Sequence, residues 1–407
     1  MWVFPFNTAQ RKIFQSLTPA MVSGAVSSPT LMAFLEQLGG TAPLARIFSK
    51  RSKKTLKRVL IAPLNWGLGH ATRCIPLIRA LQDLGADVLL ASDGVALNLL
   101  QAEFPHLPCL ELPSYRIRYD TPSMVWNIGR QLPRILWAIW QEHQVVERWV
   151  KQYDLSGILS DNRYGCFSRR VNSVFITHQL HVRVPWLSWL VRPTLRLFMA
   201  QFDAIWVPDV AEPPGLSGAL SHADKLPSSR VQFIGILTRM SSYERHPEYD
   251  VAVVLSGPEP QRSLLEQRLL EQAMFSPLKF IFIQGKTQAK NHHFVSPNIE
   301  VVTFLTSEEL NQVLLSTQWL ISRSGYSSIM DLAALGKKAI LIPTPGQTEQ
   351  EYLADFLSEQ HFFVKQKQEA LNIEQGIRDL SQTSGIPQGK YATDAFHPVL
   401  EQWLVQL

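Results

Sequence analysis

The stretch from Ser322 to Gln350 reads SRSGYSSIMDLAALGKKAILIPTPGQTEQ. It parses into a loop, a helix, a strand and a second loop. Ser324, Gly325, Ser327 and Ser328 cluster where the helix starts, Asp331 follows within its first turns, and Gly336 stops it. The run KAILIP is short and apolar enough for a buried strand, and the loop beyond carries Gln347, Glu349 and Gln350. Hydroxyl and glycine residues at a helix N-terminus, next to a strand's carboxyl end, form a place where anions bind. A nucleotide-sugar is therefore the first ligand to test.

Outward from this stretch, strand and helix alternate. RVLIA (58–62) reads as a strand. Ala71 to Leu84 reads as a helix, with Ala71, Ile75, Ile78 and Leu81 at helical spacing and Gly85 ending it. ADVLLASD, GILSD, SVFITH, AIWVPD and VQFIG follow as short apolar runs closed by polar or turn residues. Thr238 to Asp250 is polar and turn-rich, a linker. The alternation then restarts with VAVVLS, a helix from about 261 to 272, FIFIQ, VVTFL, the helix EELNQVL and WLIS. Continuous apolar strands separated by helices imply parallel sheets covered on both faces. The expected fold is α/β, with two doubly wound Rossmann-like domains (56–240 and 250–407) facing across a cleft. The last helix is expected to cross back to the first domain. Residues 1–55 mix Ser, Thr, Pro and Gly with short apolar pieces and read as a disordered extension, or as an over-long start.

With 407 residues, 46% hydrophobic and 18% charged, the chain is a folded protein of more than one domain. Its net charge of +5 is uneven: Arg51, Lys53, Lys54, Lys57 and Arg58 crowd one stretch. A mild basic bias suits phosphate-bearing ligands or an anionic membrane surface, and no nucleic-acid partner is expected. Cys74, Cys109 and Cys166 are widely spaced and form neither a metal set nor a disulfide framework, which points to the reducing cytoplasm. No apolar run reaches the roughly 20 residues of a membrane span, and no secretory signal stands at the N-terminus.

The loop after the first strand is NWGLGHATR, Asn65 to Arg73. Gly67 and Gly69 allow a tight turn and close approach of a ligand. His70 opens the helix, where the dipole disfavours its charged form. A neutral imidazole facing a cleft can take a proton from a sugar hydroxyl; a capping or loop-bonding histidine is the plainer alternative. A dinucleotide fingerprint would need a third glycine where Thr72 stands, although Asp93 could serve as its acid. In the second domain, SGPEPQR (256–262) places Gly257 at a sheet edge, and Arg262 is a candidate partner for a diphosphate. Arg323 would add charge there, and Gly325, Ser327 and Ser328 would cradle the phosphates. Asp331 can accept from both ribose hydroxyls, and Gln347, Glu349 and Gln350 can bind a hexose. Taken singly, an N-cap, a turn or a polar surface loop explains each of these residues; jointly they do not.

These residues carry a family likeness. RSGYSSIMD, GKKAILIP and TEQ resemble the donor-site signature of GT-B nucleotide-sugar glycosyltransferases. The nearest branch is the one containing the enzymes that add N-acetylglucosamine to the lipid-linked peptidoglycan precursor. Two departures, WGLGH in place of a fully Gly-rich loop and the prolines of SGPEPQR, suggest a sister group. The likeness runs from about Arg58 to the C-terminus. It implies a single displacement with inversion, moving a hexose (an N-acetylhexosamine by this likeness) from a UDP-sugar co-substrate to an acceptor hydroxyl. His70 would be the base, Asp331 the ribose acid, Glu349 and Gln350 the sugar-contacting pair, and Arg323 to Ser328 the diphosphate segment. With no Asp-x-Asp pair, no metal is required. Asn65, Asp161, Asn162, Arg163 and His178, at first-domain strand ends, are the acceptor candidates. The segments 126–140 and 186–199 mix Trp, Leu and Arg and read either as core helices or as a surface resting on the inner membrane, which would suit a lipid-linked or envelope acceptor. The rival readings are a non-hydrolysing UDP-sugar 2-epimerase, a non-catalytic nucleotide-sugar-binding protein and, more distantly, a dehydrogenase.

Overall fold

The computed structural model describes residues 56–115, 124–181, 188–222, 229–287 and 291–407. The expected extension over 1–55 lies outside the described residues, as do the side chains of Trp126, Trp186 and Trp189.

The first sheet holds β1 (Arg58–Pro63), β2 (Asp87–Ser92), β3 (Cys109–Glu111), β4 (Gly157–Asp161), β5 (Asn172–Ile176), β6 (Ala204–Val207) and β7 (Val231–Phe233), all parallel, in the order β3-β2-β1-β4-β5-β6-β7. Around it lie α1 (Gly69–Asp83), α2 (Gly94–Glu103), α3 (Met124–Gln152) and α4 (Ser188–Met199). The central strands are buried along nearly their whole length, which is why they read as unbroken apolar runs.

The second sheet repeats the plan with β8 (Tyr249–Val254), β9 (Phe280–Ile283), β10 (His292–Ser296), β11 (Ile299–Val302), β12 (Thr317–Ser322), β13 (Ala339–Leu341) and β14 (Val364–Lys365). Its order is β10-β11-β9-β8-β12-β13-β14, and only β10 runs antiparallel. Its helices are α5 (Gln261–Ala273), α6 (Ser307–Leu315), α7 (Tyr326–Leu335), α8 (Thr348–Glu359) and α9 (Ile373–Leu380). A last helix, α10 (Phe396–Gln406), returns to the first sheet. There Trp403 donates from Nε1 to Asn172 Oδ1 at 2.7 Å and meets Trp206 edge-on at 5.8 Å. One buried apolar cluster runs through both lobes, from Ile61 and Ala71 to Met330 and Leu400.

Strand order reverses between β1 and β4 in one sheet and between β8 and β12 in the other. The loops at these two switch points are where an open α/β sheet accepts ligands. They carry Asn65–Leu68 and Asp161–Asn162 on one side, and Leu255–Pro260 and Arg323–Gly325 on the other.

Candidate active site

Parallel pairing of β1 with β4 sets Pro63 beside Asp161, so the loop that opens α1 begins next to the last residue of β4. His70, on the first turn of α1, places Nδ1 2.8 Å from Asp161 Oδ1. Arg73, three residues on and so on the same helix face, grips both Asp161 oxygens through Nε and Nη2. The same Nη2 lies 2.8 Å from His70 Nδ1. Burial and then the Arg73 guanidinium push His70 below its ordinary pKa, against the opposing pull of Asp161. Burial alone would raise Asp161, but Arg73 and His70 outweigh it and hold its carboxyl well below the usual range. For His70 to be a base at Nε2, Nδ1 must keep its hydrogen and donate it to Asp161.

The second lobe meets this loop at α7. Gly325 is the N-cap, with no side chain capping the helix, so the amide groups of the first turn stay open to a ligand. Ser327 Oγ donates to Gly69 O at 2.7 Å, and a Cβ at Gly69 would come within 3.1 Å of that hydroxyl. A glycine there leaves room for this contact between the lobes. Ser324 Oγ donates to Gln350 O at 2.7 Å, while Gln350 Oε1 accepts from Thr344 N at 2.9 Å. Gly257, with φ +103°, lies under Thr344, whose buried hydroxyl has no hydrogen-bond partner among the described residues. Gly67 also has a positive φ, +77°. Ser328 sits half-buried on α7, and Gln347 forms the N-cap of α8. Glu349, on the first turn of α8, reaches the opposite lobe: its Oε1 lies 2.7 Å from His178 Nε2. Burial pushes Glu349 up, but His178, with His70 and Arg73 beyond it, brings it below its ordinary value.

Several residues expected to meet a ligand are committed elsewhere. Arg323 is fully buried and donates to Ile342 O, Pro343 O, Gln261 O and Gln368 Oε1, so its charge ties the loops of the second lobe together. Burial lowers its pKa to about 10. Arg262 is held by Glu259 and Glu266. Arg163 is buried between Asp93 and Glu142, whose other oxygen accepts from Tyr115 Oη and Gly165 N, each at 2.8 Å. It pins α3 to the strand ends and is not open to an acceptor. Asn65 donates to Asp93 Oδ2 at 3.1 Å and belongs to the same network. Asp161 serves His70 and Arg73. His178 points to the second lobe. Asp331, on the second turn of α7, accepts from Thr238 Oγ1 at 2.6 Å with Arg239 3.9 Å away; burial raises its pKa, partly offset by Arg239. Asn162 holds the left-handed conformation, φ +56°, at the end of β4. The sequence reading missed Arg73 and Tyr326. Only the i, i+3 spacing from His70 could have flagged the first.

Residues 254–393 match the glycosyltransferase family 28 C-terminal domain. An uncharacterized glycosyltransferase of Methanosarcina mazei is 24% identical over 321 residues, 74% of this chain and 84% of that protein. A UDP-N-acetylglucosamine--N-acetylmuramyl-(pentapeptide) pyrophosphoryl-undecaprenol N-acetylglucosamine transferase of Sulfurihydrogenibium sp. is 30% identical over 112 residues, 27% of this chain and 31% of that protein. Among solved structures, the glycosyltransferase SnogD of Streptomyces nogalater superposes with a TM-score of 0.54 at 16% identity, covering 86% of this chain and 96% of that one. The fold is thus that of GT-B enzymes, and the matched domain and the relatives support glycosyltransferase activity. Within that class it is similar to the peptidoglycan N-acetylglucosaminyltransferases.

Proposed function

We propose that the protein transfers an N-acetylhexosamine from a UDP-sugar to an acceptor hydroxyl with inversion, without a resident metal. The observation that carries this reading is His70, partly buried at a helix start, backed by Asp161 and facing an uncapped helix N-terminus of the other lobe. His70 Nε2 takes the acceptor proton while Nδ1–H donates to Asp161. The acceptor oxygen bonds to the anomeric carbon as the bond to the diphosphate breaks. Charge gathering on the diphosphate meets the amides opening α7 and the hydroxyls near them. Glu349 and Gln350 take the hexose, a role supported by the Ser324 bond that ties Gln350 to that helix start.

The test is transfer from UDP-N-acetylglucosamine to an acceptor panel that includes undecaprenyl-linked saccharides. His70→Ala is expected to lose about 10²–10⁴-fold in rate while still binding UDP. A His70→Ala protein with full activity overturns the reading.

The acceptor side of the reading is a lipid-linked hydroxyl at the cytoplasmic face of the inner membrane. Its support is a one-sided surface. Ala138, Ile139 and Phe198 pack inward with Leu64, while Trp137 (58% exposed), Trp140 (52%) and Leu197 (69%) face out. Arg130, Arg134 and Arg196 lie exposed on the same two helices. Among the described residues no helix is long and apolar enough to cross a membrane; this face suits one that rests on it. Flotation with vesicles containing phosphatidylglycerol is expected at low salt, and to be lost in Trp137→Glu/Trp140→Glu. If wild-type protein stays at the bottom of the gradient, the membrane part fails.

A further inference from the structure

His178 follows β5 in the first lobe, yet it meets Tyr326 and Glu349 of the second. Its ring stacks on Tyr326 of α7, with centroids 4.2 Å apart and planes 5° from parallel. Tyr326 is itself anchored by donation from its hydroxyl to Pro208 O at 2.9 Å. One ring nitrogen, Nδ1, lies 2.9 Å from Arg73 Nη1, and the other, Nε2, lies 2.7 Å from Glu349 Oε1. A guanidinium has donors and no acceptor. At His70 Nδ1 the Asp161 carboxylate stands beside Arg73 and can accept a hydrogen; at His178 Nδ1 Arg73 is the contact, so Arg73 fixes the His178 tautomer: Nδ1 carries the lone pair, Nε2 carries the hydrogen, and that hydrogen is donated to Glu349. Arg73 cannot turn away, because its remaining donors hold Asp161. The result is a directed chain from Asp161 through Arg73 and His178 to a carboxylate on the opposite lobe. The His178 side chain is 4% exposed while that of Glu349 is 34% exposed, so the chain ends on a carboxylate still open to a ligand.

We propose that His178, oriented by Arg73, is a positioning residue for the donor sugar: it is the first lobe's reach into the donor site and sets the Glu349 carboxylate for the sugar's hydroxyls. This rests on the donor-sugar role of Glu349 in the proposed function. It moves His178 from the acceptor side, where its strand-end position placed it, to the donor side.

Two substitutions separate the hydrogen bond from the packing. His178→Phe keeps a ring against Tyr326 but donates nothing to Glu349. His178→Gln gives up the ring, yet its amide can accept from Arg73 and donate to Glu349. Isothermal titration with UDP-N-acetylglucosamine and with UDP gives a ratio of dissociation constants that isolates the sugar. In His178→Phe that ratio is expected to shift against the sugar nucleotide by about 10- to 100-fold, the loss of one hydrogen bond to a charged group, with UDP binding unchanged. His178→Gln is expected to restore most of the loss, and Glu349→Ala to match His178→Phe. An unchanged ratio in His178→Phe, equal weakening of both ligands, or a His178→Gln protein as impaired as His178→Phe overturns the assignment and leaves the donor reading standing. A wild-type protein that binds neither ligand overturns the donor reading itself, and this assignment with it.

Discussion

The Asp161–Arg73 pair offers a measurement in which stability and chemistry separate. Arg73 is 2% exposed and Asp161 fully buried, and the guanidinium meets both carboxylate oxygens. Neither charge has water to fall back on. Removing one partner of such a pair typically costs about 3–5 kcal/mol, because the other charge stays buried and uncompensated; replacing both by neutral groups of similar volume costs much less. Asp161→Asn and Arg73→Met are each expected to fall in that range by equilibrium urea unfolding. The double substitution should cost less than either single, giving a coupling of at least about 3 kcal/mol. Costs that add to within about 0.5 kcal/mol would mean the two groups do not compensate one another, and the charge chain to Glu349 would fall with them. The pair also has a pH signature. The folded pKa of Asp161 is depressed, so its contribution is present in full above the unfolded-chain value of about 3.9 and disappears as the pH falls through the lower folded value. The Asp161→Asn protein should lack that part of the acid loss.

Protonation inactivates a base, and burial together with Arg73 lowers the pKa of His70 against the pull of Asp161, with His178 a further lowering neighbour. The acid limb of kcat/KM is therefore expected below the ordinary histidine value of about 6.5; a limb at or above about 7 would show that His70 is not the group titrating. Arg323→Met removes a buried cation that serves three carbonyls and Gln368, with an expected cost of at least about 3 kcal/mol seen as a lowered urea midpoint. UDP affinity of the folded fraction should be unchanged; lost affinity at wild-type stability would return Arg323 to the diphosphate.

The doubly wound architecture could be read from the chain because parallel strands covered on both faces have no polar side to hide. RVLIA, FIFI and AILI are unbroken apolar runs for that reason. β10 escaped because it is exposed along most of its length, at a sheet edge, with Phe294 in solvent; nothing in HHFVS separates an edge strand from a loop. The two Trp-rich segments were ambiguous because a helix with one buried and one bare apolar face has the composition of a buried one. Only the packing of Phe198 and Ile139 around Leu64 shows which side faces in.

The site divides along a different line. Backbone requirements were visible: glycines at 67, 69 and 325, and a helix start after β1, β8 and β12. The fate of charge was not. Arg262, Arg323 and Arg163 each follow a strand's carboxyl end, where a ligand cation would be expected. That same edge, however, presents carbonyls of the neighbouring strand with no sheet partner beyond them, and an arginine fork satisfies them well. Arg323 meets Ile342 O and Pro343 O in this way, although they lie 19 and 20 residues further along the chain. Arg73 went unnoticed because it looks like one more polar residue of an amphipathic helix, and Asp161 is 88 residues away. An arginine's role depends on which carboxylates and carbonyls the topology brings to it, and one sequence does not display those distances. With Arg262 and Arg323 both consumed, a diphosphate at α7 would be held by amides and hydroxyls, and donor recognition would then lean on the Gly325 helix start and on the carboxylate that His178 meets.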